Sequence, residues 1–249
     1  MKILVCISNV PDTTTKIKFK EGNKQIDDAG IQWIINPWDE LALTRAIELK
    51  EDASTPIEEV CVINVGEAMC DATLRKALAI GADKAIRIDA SPLDAHFVAG
   101  QIADYIKKTP YDIVLSGIES SDYNSSSVGG MLSEFLDWPA ISSMTQLGFD
   151  NSELIIHRAI PGGKQILQLD PPFVGIVQKG IAKEPRIPAM RGIMMARKKP
   201  LEVVPAVELT ALSRIVEFEL PQPKASCKMI DAEQLDDLID LLKSEAKVL

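Results

Sequence analysis

Two short segments carry residue types that could hold a ligand. The first reads Ser116-Gly117-Ile118-Glu119-Ser120-Ser121-Asp122-Tyr123-Asn124-Ser125-Ser126-Ser127-Val128-Gly129-Gly130, between an apolar run and a helical pattern. Small hydroxyl residues at a helix start satisfy free backbone N–H groups, and the same groups can cradle a phosphate. Glycines let that backbone approach a ligand closely. The residues fit equally a Ser-rich loop that ends in an ordinary N-cap. The second segment is Asn36-Pro37-Trp38-Asp39-Glu40, which joins an apolar run to the next helical pattern. Asp39 is expected to cap that helix, with Pro37 and Trp38 fixing its entry. Trp38 reads either as core packing or as a flat face for a planar ligand. Two strand-end loops are thus available to one ligand of adenine-nucleotide size.

Bond-making chemistry finds little support. No GxxxxGK[ST] occurs, and Gly162-Gly163-Lys164 precedes a strand pattern, so it reads as a turn. No G-x-G-x-x-G follows the first strand. Neither His96 nor His157 lies near a plausible nucleophile, and Glu58/Glu59 and Asp236/Asp237 read as solvated faces. Cys6, Cys61, Cys70 and Cys227 lack metal-ligand spacing, so no metal site is expected. Three of these four fall in or beside strand and helix patterns and read as small buried side chains in a reducing cytoplasm.

The chain has 249 residues, 46% hydrophobic and 25% charged, enough for one large α/β domain with an extension. Its net charge of −9 argues against general nucleic-acid binding, and Arg197-Lys198-Lys199 is its one basic run. No stretch approaches the ~20 apolar residues that span a bilayer, so no membrane insertion is expected. The opening Met1-Lys2-Ile3-Leu4-Val5-Cys6-Ile7 reads as a first strand rather than a leader.

Strand patterns fall at 2–7, 59–64, 85–88 and 113–116, and helical patterns at 39–51, 72–80, 94–108 and 128–136. This alternation predicts a mostly parallel sheet covered by helices on both faces, with ligands at the carboxyl ends of its strands. Residues 154–159 and 165–169 flank Pro161-Gly162-Gly163 as a hairpin, and 173–177 is a further apolar strand. From 179 to 205 the chain is Pro-, Arg- and Met-rich and reads as a long irregular loop. Pro221 and Pro223 lead to one helix over 232–247, with Leu235, Leu238, Ile239 and Leu242 on a narrow stripe. Such a helix either folds back or packs on a partner.

Further motifs recur in a specific order: Val10-Pro11-Asp12, Asn36-Pro37-Trp38-Asp39-Glu40, Thr73-Leu74-Arg75-Lys76-Ala77-Leu78-Ala79-Ile80-Gly81-Ala82-Asp83, Arg158 with Gly162-Gly163, Glu184-Pro185-Arg186, and Met194 through Pro200. Carrying them nearly end to end, the chain resembles the beta subunit of electron transfer flavoprotein. The resemblance implies a Rossmann-like adenine-nucleotide-binding domain over 1–220 and a linker and helix over 221–249 that pack on an alpha subunit in a heterodimer. It implies FAD held mainly by that alpha subunit, and AMP held here by Cys6, Asn36, Pro37, Trp38, Asp39, Val65 and the 117–128 loop. That loop begins at Gly117; the family often has acidic and Asn-Gln-Thr residues in it, and here Asp122 is kept while Ser125, Ser126, Ser127 and Val128 replace the rest. Trp38 occupies the aromatic position that approaches FAD, and Thr13 stands where some relatives have an aromatic. Residues 183–195 correspond to the loop that docks partner dehydrogenases, with Met190 at the anchor position beside Glu184 and Arg191. Lys183 and Ile187 replace the usual Asn and Tyr. A methionine anchor suits an adaptable contact.

What the resemblance implies in function is an electron carrier rather than an enzyme. It would take electrons from flavin-dependent dehydrogenases and pass them to a respiratory quinone oxidoreductase. Two rivals stand beside it. One is an electron-bifurcating subunit with a second FAD in the AMP pocket; the other is a stand-alone adenine-nucleotide sensor.

Overall fold

The computed structural model describes residues 1–151, 153–224 and 226–249. Its β-branched runs form the strands and its amphipathic runs the helices. In chain order these are β1 (Lys2–Cys6), β2 (Asn9–Pro11), β3 (Phe19–Lys20), β4 (Gln25–Ile26), β5 (Trp33–Ile35), α1 (Pro37–Glu51), β6 (Glu59–Val65), α2 (Asp71–Ile80), β7 (Lys84–Asp89) and α3 (Ala95–Lys108). Then follow β8 (Ile113–Gly117), α4 (Val128–Leu136), β9 (Ala140–Asp150), β10 (Glu153–Ile160), β11 (Gly163–Gln168), β12 (Phe173–Val177), α5 (Met190–Ala196), β13 (Leu201–Pro205) and α6 (Leu235–Ser244).

One sheet runs β11-β10-β9-β12-β8-β1-β6-β7-β13. All its pairings are parallel except those of β10 with β9 and β11. Alternation along each strand separates two apolar layers. Ile3, Val5, Val60, Val62, Ile113 and Leu115 face one cluster with Leu43, Ile47, Leu74 and Leu78 of α1 and α2. Leu4, Cys6, Cys61, Ile63 and Val114 face the other with Phe97, Ile102 and Ile106 of α3 and Leu132 of α4. Helices thus cover both faces, as the near-continuous apolar strands require. The chain steps outward from β1 through β6 to β7, then reverses to β8 on the other side of β1. This reversal leaves a crevice outside the carboxyl ends of β1 and β8, the place where open α/β sheets take ligands.

Three expectations need correction. The segment 179–205 is not irregular throughout: it contains α5 and the edge strand β13. Their signal is weak because edge positions are only half covered and most of the apolar residues of α5 face outward. The strand β9 stands where no strand was expected, because Ser142, Ser143, Thr145 and Gln146 interrupt its apolar positions. The last helix is shorter than 232–247.

Beyond the sheet the chain stays on the body for another dozen residues. The Gln101 side chain donates to Val207 O at 2.7 Å and accepts from Val207 N at 2.8 Å. Asp94 accepts from Leu212 N and Ser213 N, and Phe218 stacks on Phe19 with ring centroids 5.4 Å apart. Helix α6 buries no residue, and Leu235, Leu238 and Ile239 are exposed. Leu78 sits at the other extreme, fully enclosed between α2 and the sheet. Leu78→Ala is expected to lower stability by about 2–5 kcal/mol, read from the midpoint of urea denaturation followed by circular dichroism.

Candidate functional site

Helix α1 begins at Pro37, whose missing N–H is no loss at the first helical position. That start leaves Asp39 inside the first turn, so it does not cap the helix as expected. Its carboxylate instead reaches across the crevice: Oδ2 accepts from Ser8 N and Oδ1 from Gly117 N, both at 2.8 Å. Asn36, the flanking residue, makes no side-chain cap either. Its Nδ2 donates to Glu119 O at 2.8 Å and its Oδ1 accepts from Ser121 N at 3.1 Å. The start of α1 is therefore bonded to the chain leaving β1 and to the chain leaving β8. Gly117 is required for that approach, because a Cβ there would collide with Asp39 Oδ1 and lie 2.6 Å from Trp38 Cβ.

Asp39 is 3% exposed. Burial pushes its carboxyl from the ordinary 3.8 up to about 6, against the hydrogen bonds from Ser8, Gly117 and Asn36 that pull it down. Burial also raises the Cys6 thiol far above its usual range, with the Asp39 charge adding to the effect, so this cysteine is no nucleophile. Cys6 and Val65 belong to one apolar wall at the strand ends, against which Ile118 and Val128 pack. Trp38 is half-buried and packs on the opposite layer, so the packing reading holds for at least part of its ring.

The loop 118–127 carries the expected serines, but they do not cap α4. Ser127 flanks the helix without a side-chain cap, and its Oγ donates to Ser125 O at 2.7 Å. Ser126 Oγ donates to Glu119 Oε2 at 3.2 Å. Asn124 and Ser126 both hold φ of 50°, which shapes the turn that aims the chain into α4. Asp122 and Ser125 are exposed, and Asp122 bonds only its neighbour Tyr123 N among the described hydrogen bonds. The first-turn amides of α4 are thus left to another partner. Beneath them Ser116 Oγ is buried with no hydrogen-bond partner, and a Cβ on Gly129 would lie 2.7 Å from it. A Cβ on Gly130 would meet nothing within 4 Å.

Sequence reasoning missed Ser8, Asn64 and Arg87, and placed Ser116 in the first segment without giving it a role of its own. Asn64 Nδ2 donates to Ile7 O at 2.8 Å, and Arg87, 6% exposed at its side chain, pairs with Asp71 and Asp89 and donates to Gly66 O. The legible signal was a polar residue near the end of an otherwise apolar strand: Asn64 in Val62-Ile63-Asn64-Val65, Arg87 in Ala85-Ile86-Arg87-Ile88 and Ser116 after Val114-Leu115.

Met190, Glu184 and Arg191 lie elsewhere, on and before α5, which packs against α2. Met190 is 76% exposed, as are its neighbours Ile187 (88%) and Met194 (70%), so Met190 is no core filler. A cavity of about 380 Å³, lined by Asp12, Thr14, Lys16, Lys18 and Asp27 among others, holds none of these residues. Among the described residues no group of His, Cys, Asp and Glu could hold a metal ion, and no helix is long and apolar enough to cross a membrane.

With this geometry in view, the likeness to known proteins is specific. Residues 24–209 match the electron transfer flavoprotein domain. The chain is 34% identical to the electron transfer flavoprotein subunit beta of Bacillus subtilis (strain 168), over the whole of both chains. It is 34% identical to that of Syntrophomonas wolfei subsp. wolfei, covering all of this chain and 98% of the relative. Against the human subunit beta it is 30% identical, covering 100% and 99%. The chain belongs to the electron transfer flavoprotein family, as a member of its beta-subunit group, and so to flavin-linked electron transport.

Asp39 provides a pH signature of the crevice. An acid whose folded pKa lies above its unfolded value binds protons more readily when folded, so its contribution to stability is full below about pH 4 and is lost as pH rises through about 6. Urea midpoints of the wild type are expected to fall from pH 4 to 6.5 relative to those of Asp39→Asn, whose side chain does not titrate. Parallel pH profiles would contradict the assignment.

Proposed function

We propose that this chain is the beta subunit of a cytoplasmic heterodimeric electron carrier, binding AMP and docking dehydrogenases rather than catalysing a reaction of its own. The alpha subunit holds most of the FAD, which supplies the redox chemistry when bound. This chain flanks it with Trp38, and Thr13, standing where some relatives have an aromatic, makes a weaker contact. Electrons enter from flavin-dependent dehydrogenases and leave towards a quinone oxidoreductase.

The observation that carries the nucleotide reading is the uncapped start of α4 with the unpartnered Ser116 hydroxyl beneath it. A helix N-terminus presents N–H groups and the positive end of its dipole, which suits a phosphate. Ser125, Ser126 and Ser127 add hydroxyls to the same loop, and Gly130 leaves room. Cys6, Val65 and Val128 offer an apolar wall to a base. Asn36, Pro37, Asp39 and Gly117 hold the two loops together, and Asp122 lies on the outer side of the turn. One phosphate fits this set better than a second dinucleotide would need, which favours AMP over FAD in this position.

The docking reading rests on the exposed apolar run Ile187, Met190 and Met194, with Glu184 and Arg191 as its charged flanks. Solvent-exposed methionines clustered in this way suit a contact that must repack on different partners.

Denaturing the heterodimer and quantifying released nucleotides by chromatography with mass detection tests the first reading. One FAD and one AMP per heterodimer are expected. Two FAD without AMP would indicate the electron-bifurcating type, and a flavin-free homodimer the nucleotide sensor. For the second, Met190→Ala is expected to raise the KM for the dehydrogenase at least about fivefold with FAD content unchanged, the scale of a central interface residue. Reduction at the wild-type rate and KM would remove the docking role.

A further inference from the structure

The α5 helix has seven residues, of which only Ala196 is buried. Helices below about 12–15 residues are marginal without tertiary support. The exposed apolar side chains that the docking role needs give this helix almost no burial to stand on. Something other than its own packing must therefore hold it.

The chain on either side supplies that hold. Before α5, Arg186 N donates to Thr44 Oγ1 at 3.0 Å, and the same hydroxyl donates to Glu40 O at 2.8 Å. Thr44 is 3% exposed on α1, so its hydroxyl is a buried anchor. The nearby ion pair of Arg186 with Glu51 is largely solvent-exposed and contributes little by comparison. After α5, Arg75 Nη1 donates to Ala196 O and Lys199 O, both at 2.8 Å. Lys199 Nζ in turn donates to Leu78 O, Gly81 O and Ala82 O at the carboxyl end of α2. A cation is well placed there, against the negative end of the helix dipole. Between these points Gly192 passes so close to Ala79 O that any Cβ would collide with it.

We propose that Thr44, Arg75 and Gly192 are positioning residues for dehydrogenase docking: they clamp the segment 187–196 onto α1 and α2 and present its exposed apolar side chains ready for a partner. This rests on the docking role proposed above. A clamped segment has its ordering cost met before the partner arrives, whereas a released one binds only in the fraction of molecules that hold the right placement.

The test uses the full heterodimer carrying Thr44→Val, Thr44→Ser, Gly192→Ala or Met190→Ala. Amide hydrogen exchange is followed over 187–196, together with steady-state reduction by a flavin-dependent dehydrogenase that reduces the wild type. Thr44→Val keeps the side-chain shape and removes the hydroxyl; Thr44→Ser keeps the hydroxyl. Thr44→Val and Gly192→Ala are each expected to speed exchange about tenfold and raise KM by about the same factor, with kcat and FAD content within twofold of wild type. Thr44→Ser is expected to behave as wild type. If Thr44→Val does not assemble, Gly192→Ala decides on the same two readouts. Should Met190→Ala raise KM while the positioning variants leave it unchanged, the clamp is overturned and the docking role stands. Loss of kcat rather than a rise in KM, or a Thr44→Ser variant as impaired as Thr44→Val, also overturns it. An unchanged KM in Met190→Ala removes the docking role, and the clamp loses its purpose with it.

Discussion

A single buried carboxylate joins the parts of this molecule that matter. Asp39 accepts the main-chain N–H groups of Ser8 and Gly117, which leave neighbouring strands on the two sides of the sheet's reversal. Unsatisfied, those amides would be costly so far from water. Satisfied by one side chain on α1, they fix that helix against both strand ends. Burial raises its carboxyl pKa even against those hydrogen bonds, so the placement fixes geometry at a cost in desolvation. Farther along, the same helix carries Thr44 and Glu51, which receive Arg186. A carboxylate at the crevice thus sets the helix on which the distant α5 segment is hung.

Around that link the polar groups are distributed with economy. Each β6, β7 and β8 strand is apolar through its middle and changes character at its carboxyl end, in Asn64, Arg87 and Ser116. Asn64 and Arg87 bond main-chain carbonyls and acidic side chains, so they brace loops. Ser116 makes no such bond: its Oγ, like Asn64 Oδ1, is buried without a partner, which divides the bracing groups from the unpartnered ones. The glycines follow the same division. Gly117 is demanded by protein packing, whereas Gly130 faces open space.

Most of the central architecture was legible because parallel strands covered on both faces are continuous β-branched runs, and the helices between them keep their period. The boundaries of α4 and β12 follow directly from Val128–Leu136 and Phe173–Val177. The losses share a cause. Edge strand β13, polar-interrupted β9 and outward-facing α5 lack a fully buried side, and burial is what writes period into a sequence. The segments 36–40 and 116–130 were legible as a pair because both sit at strand ends and carry cap-type residues. How they meet was not, since capping and bridging use the same residue types. Asp39 could bond its own helix or two foreign amides, and only the three-dimensional path of Ser8 and Gly117 decides. The Thr44–Arg186 bond was illegible for a similar reason, its partners lying 142 positions apart.

The segment from β12 to β13 also joins strands separated in the sheet by β8, β1, β6 and β7. It is a bridge with one abutment, β12, set in the core, the other, β13, on the sheet edge, and its outer surface free. Length in such a bridge is constrained, because its ends must reach, and Gly192 cannot be enlarged without lifting the span. The outward residues at 187, 190 and 194 answer to no such requirement. Substitution at those exposed positions disturbs no core packing, so the chemistry of this outer surface can vary while the scaffold beneath stays unaltered.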